Sequence, residues 1–216
     1  MKNYQKLLLA VLTLFVWAPS CKKSDVSKKE ISLYETDFSN DDGNWSIVTS
    51  GNYPASIRDG YYHMANNSSQ GIHFYWTRAL FSGITHTTAI EASVKVFPVG
   101  GSDYGTGGLM WNERQQNNTQ FFFVISSSGE FAIYGYPNAD ETLVKYKDWA
   151  LHSKIRKDQF NKLRVELRQE TLYFFINDAE VYKMTAVNDR SLDLSGFGVV
   201  SGSSMQVDYF KAVERP

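Results

Sequence analysis

The chain has 216 residues, 43% of them hydrophobic and 15% aromatic, with 22 basic and 23 acidic side chains and a single cysteine. Residues 31–216 carry 16 basic against 21 acidic side chains, so this part sits near −5 and lacks the basic footprint of a nucleic-acid binder. One cysteine excludes a disulfide within the chain, and about 185 aromatic-rich residues are enough for one well-filled core, which makes a single domain the expectation.

The N-terminus reads as an address. Lys2 and Lys6 open it, "LLLAVLTLFVWA" supplies an apolar stretch, and "APSC" brings small residues up to Cys21. This resembles a bacterial lipoprotein signal, with "WAPSC" as the lipobox and Trp17 at a position usually held by Leu. The resemblance implies cleavage before Cys21 and a diacylglycerol on its sulfur. The mature chain would then be held at the bacterial cell envelope, in the outer membrane, by lipid alone. A plain secretory signal with an incidental cysteine is the alternative. Residues 21–30 follow as a lipidated cysteine and a charged, aperiodic tether, and no later stretch is long and apolar enough to span a bilayer.

From residue 31 the pattern is strand after strand. "SLYETDF" runs into the turn-rich "SNDDGN" and then "WSIV"; "ASIR-DG-YYHMA" is a hairpin closed by Asp59-Gly60. "GIHFYWT", "TAIEASVKVF" and "GGLMWNE" follow, the last after a Gly-rich stretch at 100–108 that reads as a flexible loop. "TQFFFVISSSGEFAIYGY" is a second hairpin, turning at Ser128-Gly129. "LVKYKDWALHSKIRKDQF" reads as a strand, a loop and a short turn rather than a helix.

"KLRVELRQETLYFFINDAEVYKM" can be set in register. With Gln169-Glu170 at the turn, Leu167 faces Leu172, Val165 faces Phe174 and Leu163 faces Ile176 on the buried side. Arg164, Glu166 and Arg168 then share the other side with Phe175 and Tyr173, and Asn177-Asp178 turns the chain to bring Val181 back towards Phe174. "GFGVVSGSSMQVDYFKAV" closes the domain. Short alternating strands separated by turn residues point to a sandwich or a barrel.

The runs "GLMWNERQQNNTQFFFVISSSGEFAIYGY", "FNKLRVELRQETLYFFINDAEVYKM" and "GFGVVSGSSMQVDYF", with Trp149 between the first two, resemble a concanavalin A-like lectin/glucanase domain. Within that superfamily they are similar to the glucanase-like and 3-keto-disaccharide hydrolase-type domains of secreted and lipid-anchored bacterial proteins. The resemblance covers roughly residues 34–213 and implies an all-β, two-sheet antiparallel jelly-roll sandwich. Its motifs are structural, and Asp178 stands where the family has a turn glycine, a change a type I′ turn tolerates.

The glucanase branch carries its acid and nucleophile in a Glu-x-Asp-x-Glu strand. The one window here with that spacing, Glu166 to Glu170, has Arg168 in place of the aspartate and puts Glu170 in a turn. Flanking arginines would lower the Glu166 pKa, whereas a general acid needs it raised, so Glu166 is expected to be an exposed surface charge. Glu91 lies on the polar side of "AIEASVKVF" and reads as an unpaired surface carboxylate, with Glu113 and Glu141 as partners that nothing in the sequence brings near.

His63 and His73 could face each other if residues 60–66 pair with 71–77, but they lack a third ligand, and His86 and His152 are the remaining histidines. No metal or other cofactor is therefore expected. Structural calcium in "DFSNDDGNW" is a lesser reading, because Asn, Asp and Gly there are first of all turn formers.

Aromatic residues are the larger resource. Alternation sets Leu109, Trp111, Phe121, Phe123, Ile125, Phe131 and Ile133 on core faces. Met110, Asn112, Phe122, Val124, Tyr134 and Tyr136 go to the opposite face, and Tyr173, Phe175 and Tyr182 are read as outward too. A half-wet aromatic face suits sugar stacking; if loops or the partner sheet cover it, the rings are only more core. The reading is a lipid-anchored, non-catalytic binding module for a polysaccharide or oligosaccharide. Tyr134 and Tyr136 would serve as platforms, Asn112 as a hydroxyl partner and Trp149 as a loop contact. A glycoside hydrolase with a cross-strand acid pair, and a protein-binding or structural envelope component, are the alternatives.

Overall fold

Period-two alternation becomes strand throughout the computed structural model, which describes residues 30–79, 87–114, 119–138, 142–187 and 192–215, with the side chains of 113 and 114 set aside. The signal, Cys21, His86 and Glu141 lie outside the described residues, as does the Glu113 side chain. Among the described residues there is no helix.

The strands are β1 (Ile31–Thr36), β2 (Ala55–Arg58), β3 (Tyr61–Asn66), β4 (Ile72–Trp76), β5 (Ala89–Pro98), β6 (Thr106–Arg114) and β7 (Thr119–Ser126). They continue with β8 (Glu130–Tyr136), β9 (Val144–Leu151), β10 (Asn161–Arg168), β11 (Thr171–Ile176), β12 (Ala179–Thr185), β13 (Gly196–Val200) and β14 (Ser203–Glu214). They form two sheets. The larger runs β12-β11-β10-β5-β14-β3-β2, with β1 also on β14, and the smaller runs β4-β13-β6-β7-β8-β9. Every pairing is antiparallel, and the fold is an all-β jelly-roll sandwich.

β14 is the spine of the larger sheet. One edge pairs with β5 along its length, while the other meets β3 over Ser203–Val207 and β1 over Phe210–Glu214. The core between the sheets is heavily aromatic. Trp45 stacks on Phe197 at 5.2 Å and meets Phe210 edge-on at 5.4 Å, and Phe123 meets Phe174 edge-on at 5.3 Å.

Turn chemistry follows the residues that need it. Asp59 (φ 52°) and Gly60 (φ 76°) close β2–β3, and Asn177 (φ 49°) and Asp178 (φ 66°) close β11–β12, both with the left-handed backbone of a type I′ turn. The β10–β11 register is Leu163 with Ile176, Val165 with Phe174 and Leu167 with Leu172, as the hydrophobic pattern requires.

Four expectations are corrected. A bulge at Val181 puts Tyr182 opposite Phe174, so Tyr182 points into the core and donates to the Tyr146 carbonyl at 2.8 Å. Residues 106–108 of the Gly-rich stretch belong to β6 rather than to a loop. Trp149 lies on edge strand β9, not in a loop. β3 and β4 fall in different sheets, so His63 and His73 do not pair.

Candidate functional site

Each sheet has an outer face, and the two differ in chemistry. On the larger sheet that face is a charge ladder. Glu166 is 5% exposed, not the exposed charge its alternation suggested, because Arg215 reaches over it from the end of β14. Its Oε1 accepts from Arg168 Nε at 2.9 Å, and its Oε2 lies 2.8 Å from Arg215 Nη1 in a charge contact without hydrogen-bond alignment. Burial would raise this carboxyl, but the Arg168 hydrogen bond and the Arg215 charge outweigh it and hold it below the usual carboxylate range.

Glu91 is not unpaired either. It accepts from the Tyr209 hydroxyl at 2.7 Å and sits 3.7 Å from Arg164, which lies at the same distance from Glu166. For Glu166 the guanidiniums around it favour the anion, the opposite of what a general acid requires. Phe175 and Tyr173 belong to this face, under Arg164 at 4.2 Å and Arg168 at 4.8 Å, so their ring faces are occupied.

The outer face of the smaller sheet is apolar and aromatic. Alternation along β6, β7 and β8 sends Leu109, Trp111, Phe121, Phe123, Ile125, Phe131 and Ile133 into the main core. Met110, Phe122, Val124 and Ala132 go to the other side, where they form a second buried cluster bordered by Ile72, Phe74, Tyr134 and Tyr136. Phe122 is its hub: Phe74 stacks on it at 5.4 Å, Tyr134 tilts over it at 5.4 Å and Tyr136 meets it edge-on at 6.4 Å. The inner rings of this face are therefore covered, and its wet part is the rim.

Beside this cluster, Thr106, Ser126, Glu130 and Val200, at the ends of β6, β7, β8 and β13, line a groove. In the cluster itself Gly198 faces Gly108 across β13 and β6, and its lack of a side chain lets Ile72 and Phe122 pack over it: a Cβ on Gly198 would come within 2.7 Å of Ile72 Cδ1 and 3.2 Å of Phe122 Cδ1. The groove holds about 580 Å³, with Ile72 and Val200 at one end, Tyr134, Tyr136 and Ala132 along it, and Lys145, Lys147, Asp148 and Trp149 on the β9 wall. Tyr104 and Trp149 stand at its rim, 53% and 42% exposed. Burial, reinforced by Tyr136, pushes the Tyr134 phenol up to about 12, so it stays a neutral hydroxyl.

Three of the four predicted contacts, Tyr134, Tyr136 and Trp149, thus line one groove. Asn112 is not among its lining residues. It is 3% exposed with φ 56°, at the irregularity where β6 leaves register with β7, and its N–H donates to the Asp193 carbonyl at 2.9 Å. Glu130 went unnoticed in the sequence. It lines the groove, its carboxylate accepts from Ser128 Oγ at 3.0 Å, and Ser128 Oγ shares a 2.5 Å bond with Ser126 Oγ. Its signal was the "SSSGE" hairpin itself, where turn hydroxyls stand two and four residues before an acid.

In "DFSNDDGNW", Asp37, Asp41 and Asp42 each accept a backbone N–H two residues on, from Ser39, Gly43 and Asn44, as turn-forming aspartates do. Among the described residues no three His, Cys, Asp or Glu side chains gather as a metal-ligand set.

No protein-family model matches the chain, and no curated protein matches it. Solved structures do. A carbohydrate-binding module, CBM66, from Bacillus subtilis aligns with a TM-score of 0.53 at 14% identity, over 77% of this chain and 94% of its own. The Bacillus licheniformis beta-glucanase aligns with a TM-score of 0.58 at 8% identity, over 84% and 98%. The catalytic domain of an endo-1,3-beta-glucanase (laminarinase) from Thermotoga petrophila aligns with a TM-score of 0.54 at 10% identity, over 87% and 98%. At these identities the likeness is one of fold: the chain shares its two-sheet all-β sandwich with a carbohydrate-binding module and with glucanases.

Proposed function

We propose that this chain is a carbohydrate-binding module that seats an uncharged oligosaccharide in the groove across β13, β6, β7 and β8, and that a lipid on Cys21 holds it at the bacterial envelope. One observation carries the binding part: Tyr134, Tyr136 and Trp149, from two strands, line a single groove together with the polar Thr106, Ser126 and Glu130. Aromatic rings cover the C–H faces of a sugar, and fixed polar groups beside them accept and donate to hydroxyls. The charged groups lining the groove are Glu130, Asp148, Lys145 and Lys147, two of each sign, which suits a neutral chain. The sandwich is shared with carbohydrate-binding and carbohydrate-cleaving proteins, which agrees with the same ligand class.

Hydrolysis is the second reading, and one observation favours it: Glu130 and Asp148 both line the groove. Against it, the Asp148 side chain is 71% exposed, and the Trp149 N–H and Lys145 hold its carboxyl below the usual range, so it is no general acid.

The test is a glycan array on the full chain, followed by calorimetry on any hit. Binding that Trp149→Ala weakens at least tenfold supports the module, and no hit, or a hit indifferent to Trp149→Ala, overturns it. Turnover of a bound glycan that Glu130→Gln abolishes would install the hydrolase instead. Labelling of the wild type, but not of Cys21→Ser, by a radioactive fatty acid in a bacterial host tests the anchor.

A further inference from the structure

The outer face of the larger sheet divides by how its charges are matched. Towards β10 and β12, Glu30, Glu91, Glu166 and Asp178 all lie within ion-pair distance of Lys162, Arg164, Arg168, Lys211 or Arg215. Towards β2 the pattern stops. Among the described residues, no carboxylate comes within ion-pair distance of Arg58 or Lys95.

Register shows what surrounds these two cations. Ser56, His63, Gln206 and Lys95 form one row across β2, β3, β14 and β5, and Ala65, Ser204 and Phe97 form the next row on the same face. The rows floor a trough of about 550 Å³, bordered by Arg58, Pro54 and Val48, whose lining contains no Asp or Glu. Lys95 is outside the lining, on the β5 side of the trough, with its Nζ 4.8 Å from the centre of the Phe97 ring. His63 Nδ1 lies 3.4 Å from the Gln206 amide nitrogen, while its Nε2 is buried and takes no hydrogen bond. Native folds rarely leave such a group without a partner.

We propose that this trough is a second ligand site, for a saccharide that carries an oxyanion, either a uronate carboxylate or a sulfate ester. Arg58 meets the anion with the Lys95 charge beside it, Pro54 takes the C–H face of the ring, and Ser56 and Gln206 bond its hydroxyls. An isolated ion would use the cations but not the ring and amide beside them. Burial and then the Arg58 charge depress the His63 pKa, against a weaker pull from the Arg58 backbone carbonyl and from Asp59 in the adjoining turn, so its imidazole is neutral near pH 7. An anion seated beside it would draw the ring towards protonation and supply the missing partner. None of these residues lines the groove on the smaller sheet, so the site stands whether or not the groove binds sugar.

The experiment is NMR titration of the full chain with oligogalacturonate, with a sulfated galactan oligosaccharide, and with the matching neutral galactan oligosaccharide. Expected are shifts at Ser56, His63, Ser204 and Gln206 with one or both acidic probes, and a His63 pKa raised by about one unit. Arg58→Gln, a change at an exposed position, should weaken that binding at least tenfold, whereas Trp149→Ala should leave it unchanged. Whichever acidic probe binds identifies the anion. Several results overturn the site: no shift at these residues with either acidic probe, equal binding of the neutral one, or indifference to Arg58→Gln. Inorganic sulfate reproducing the shifts at the same affinity, an adventitious ion only, also overturns it.

Discussion

Glu166 on β10 and Arg215 at the end of β14 meet at 2.8 Å across the intervening strand β5, and their contact turns a surface row into a charge network around one buried carboxylate. Arg168 closes on the same carboxylate from two residues along β10, and Glu30 extends the network by receiving Arg215 Nε at 2.8 Å. Glu166→Gln therefore leaves three guanidiniums with less negative charge among them. Arg168 and Arg215 are part-exposed, so solvent screens some of the loss, and the expected cost near pH 7 is about 1–3 kcal/mol. The pH dependence has a definite sign. The folded-state pKa of Glu166 is lowered, so its stabilisation is complete above the unfolded value of about 4.3 and fades as pH falls through the folded value. Urea denaturation should show the wild type and Glu166→Gln converging between pH 7 and pH 3, and a gap that stays constant contradicts this account.

Asn161 does for the loop before β10 what that carboxylate does for the sheet face. It is 2% exposed, accepts the Arg156 N–H at 2.8 Å, and donates to the Arg156 and Gln159 carbonyls at 2.9 and 3.0 Å. Its Oδ1 also receives Asn177 Nδ2 at 2.9 Å, tying the loop to the β11–β12 turn. Asn161→Ala strands these groups and should cost about 2–4 kcal/mol, at roughly one per net hydrogen bond. Hydrogen exchange should locate the damage at residues 152–160 and 177, and protection unchanged there would refute the tie.

What was legible in the sequence is local. The β10–β11 register could be read because three apolar pairs flank a two-residue turn, and a slip of one would turn all of them outward. The two faces of β6, β7 and β8 followed from alternation for the same reason. Tyr182 could not be placed, because the bulge at Val181 breaks the period without a Gly or Pro to announce it. The burial of Glu166 depends on Arg215, which arrives from another strand, and alternation assigns a face but not a neighbour. The groove was half legible. Tyr134 and Tyr136 were visible as a pair, whereas Thr106, Ser126 and Val200 join them only once β6, β7 and β13 lie beside β8.

Trp149 separates binding from stability. It is exposed on edge strand β9, so Trp149→Ala should change unfolding free energy by no more than about 0.5 kcal/mol while weakening the groove's ligand at least tenfold. Tyr134 does both jobs, because its ring also covers Phe122. Tyr134→Phe keeps that cover and removes one hydroxyl, so it should retain the fold and lose about two- to tenfold in affinity, near 0.5–1.5 kcal/mol. Calorimetry beside thermal melts measures both quantities. Equal affinity in Trp149→Ala and the wild type would remove the rim residue from the site.

Gly198 tests the groove as a shape. It lies beneath Ile72 and Phe122, so a side chain there must displace Ile72 Cδ1 or Phe122 Cδ1; Ile72 lines one end of the groove and Phe122 carries the Tyr134 ring. Gly198→Leu should push one of these side chains out of the outer cluster, at a cost of about 1–3 kcal/mol from overpacking. It should weaken binding in the groove even where melts show the domain still folded. Gly198→Ala is the graded control, with a smaller clash, a smaller stability loss and a partial loss of affinity. If Gly198→Leu folds and binds like the wild type, the ligand depends neither on Ile72 nor on the Tyr134 ring held by Phe122, and the rim of Tyr104 and Trp149 would have to act without them.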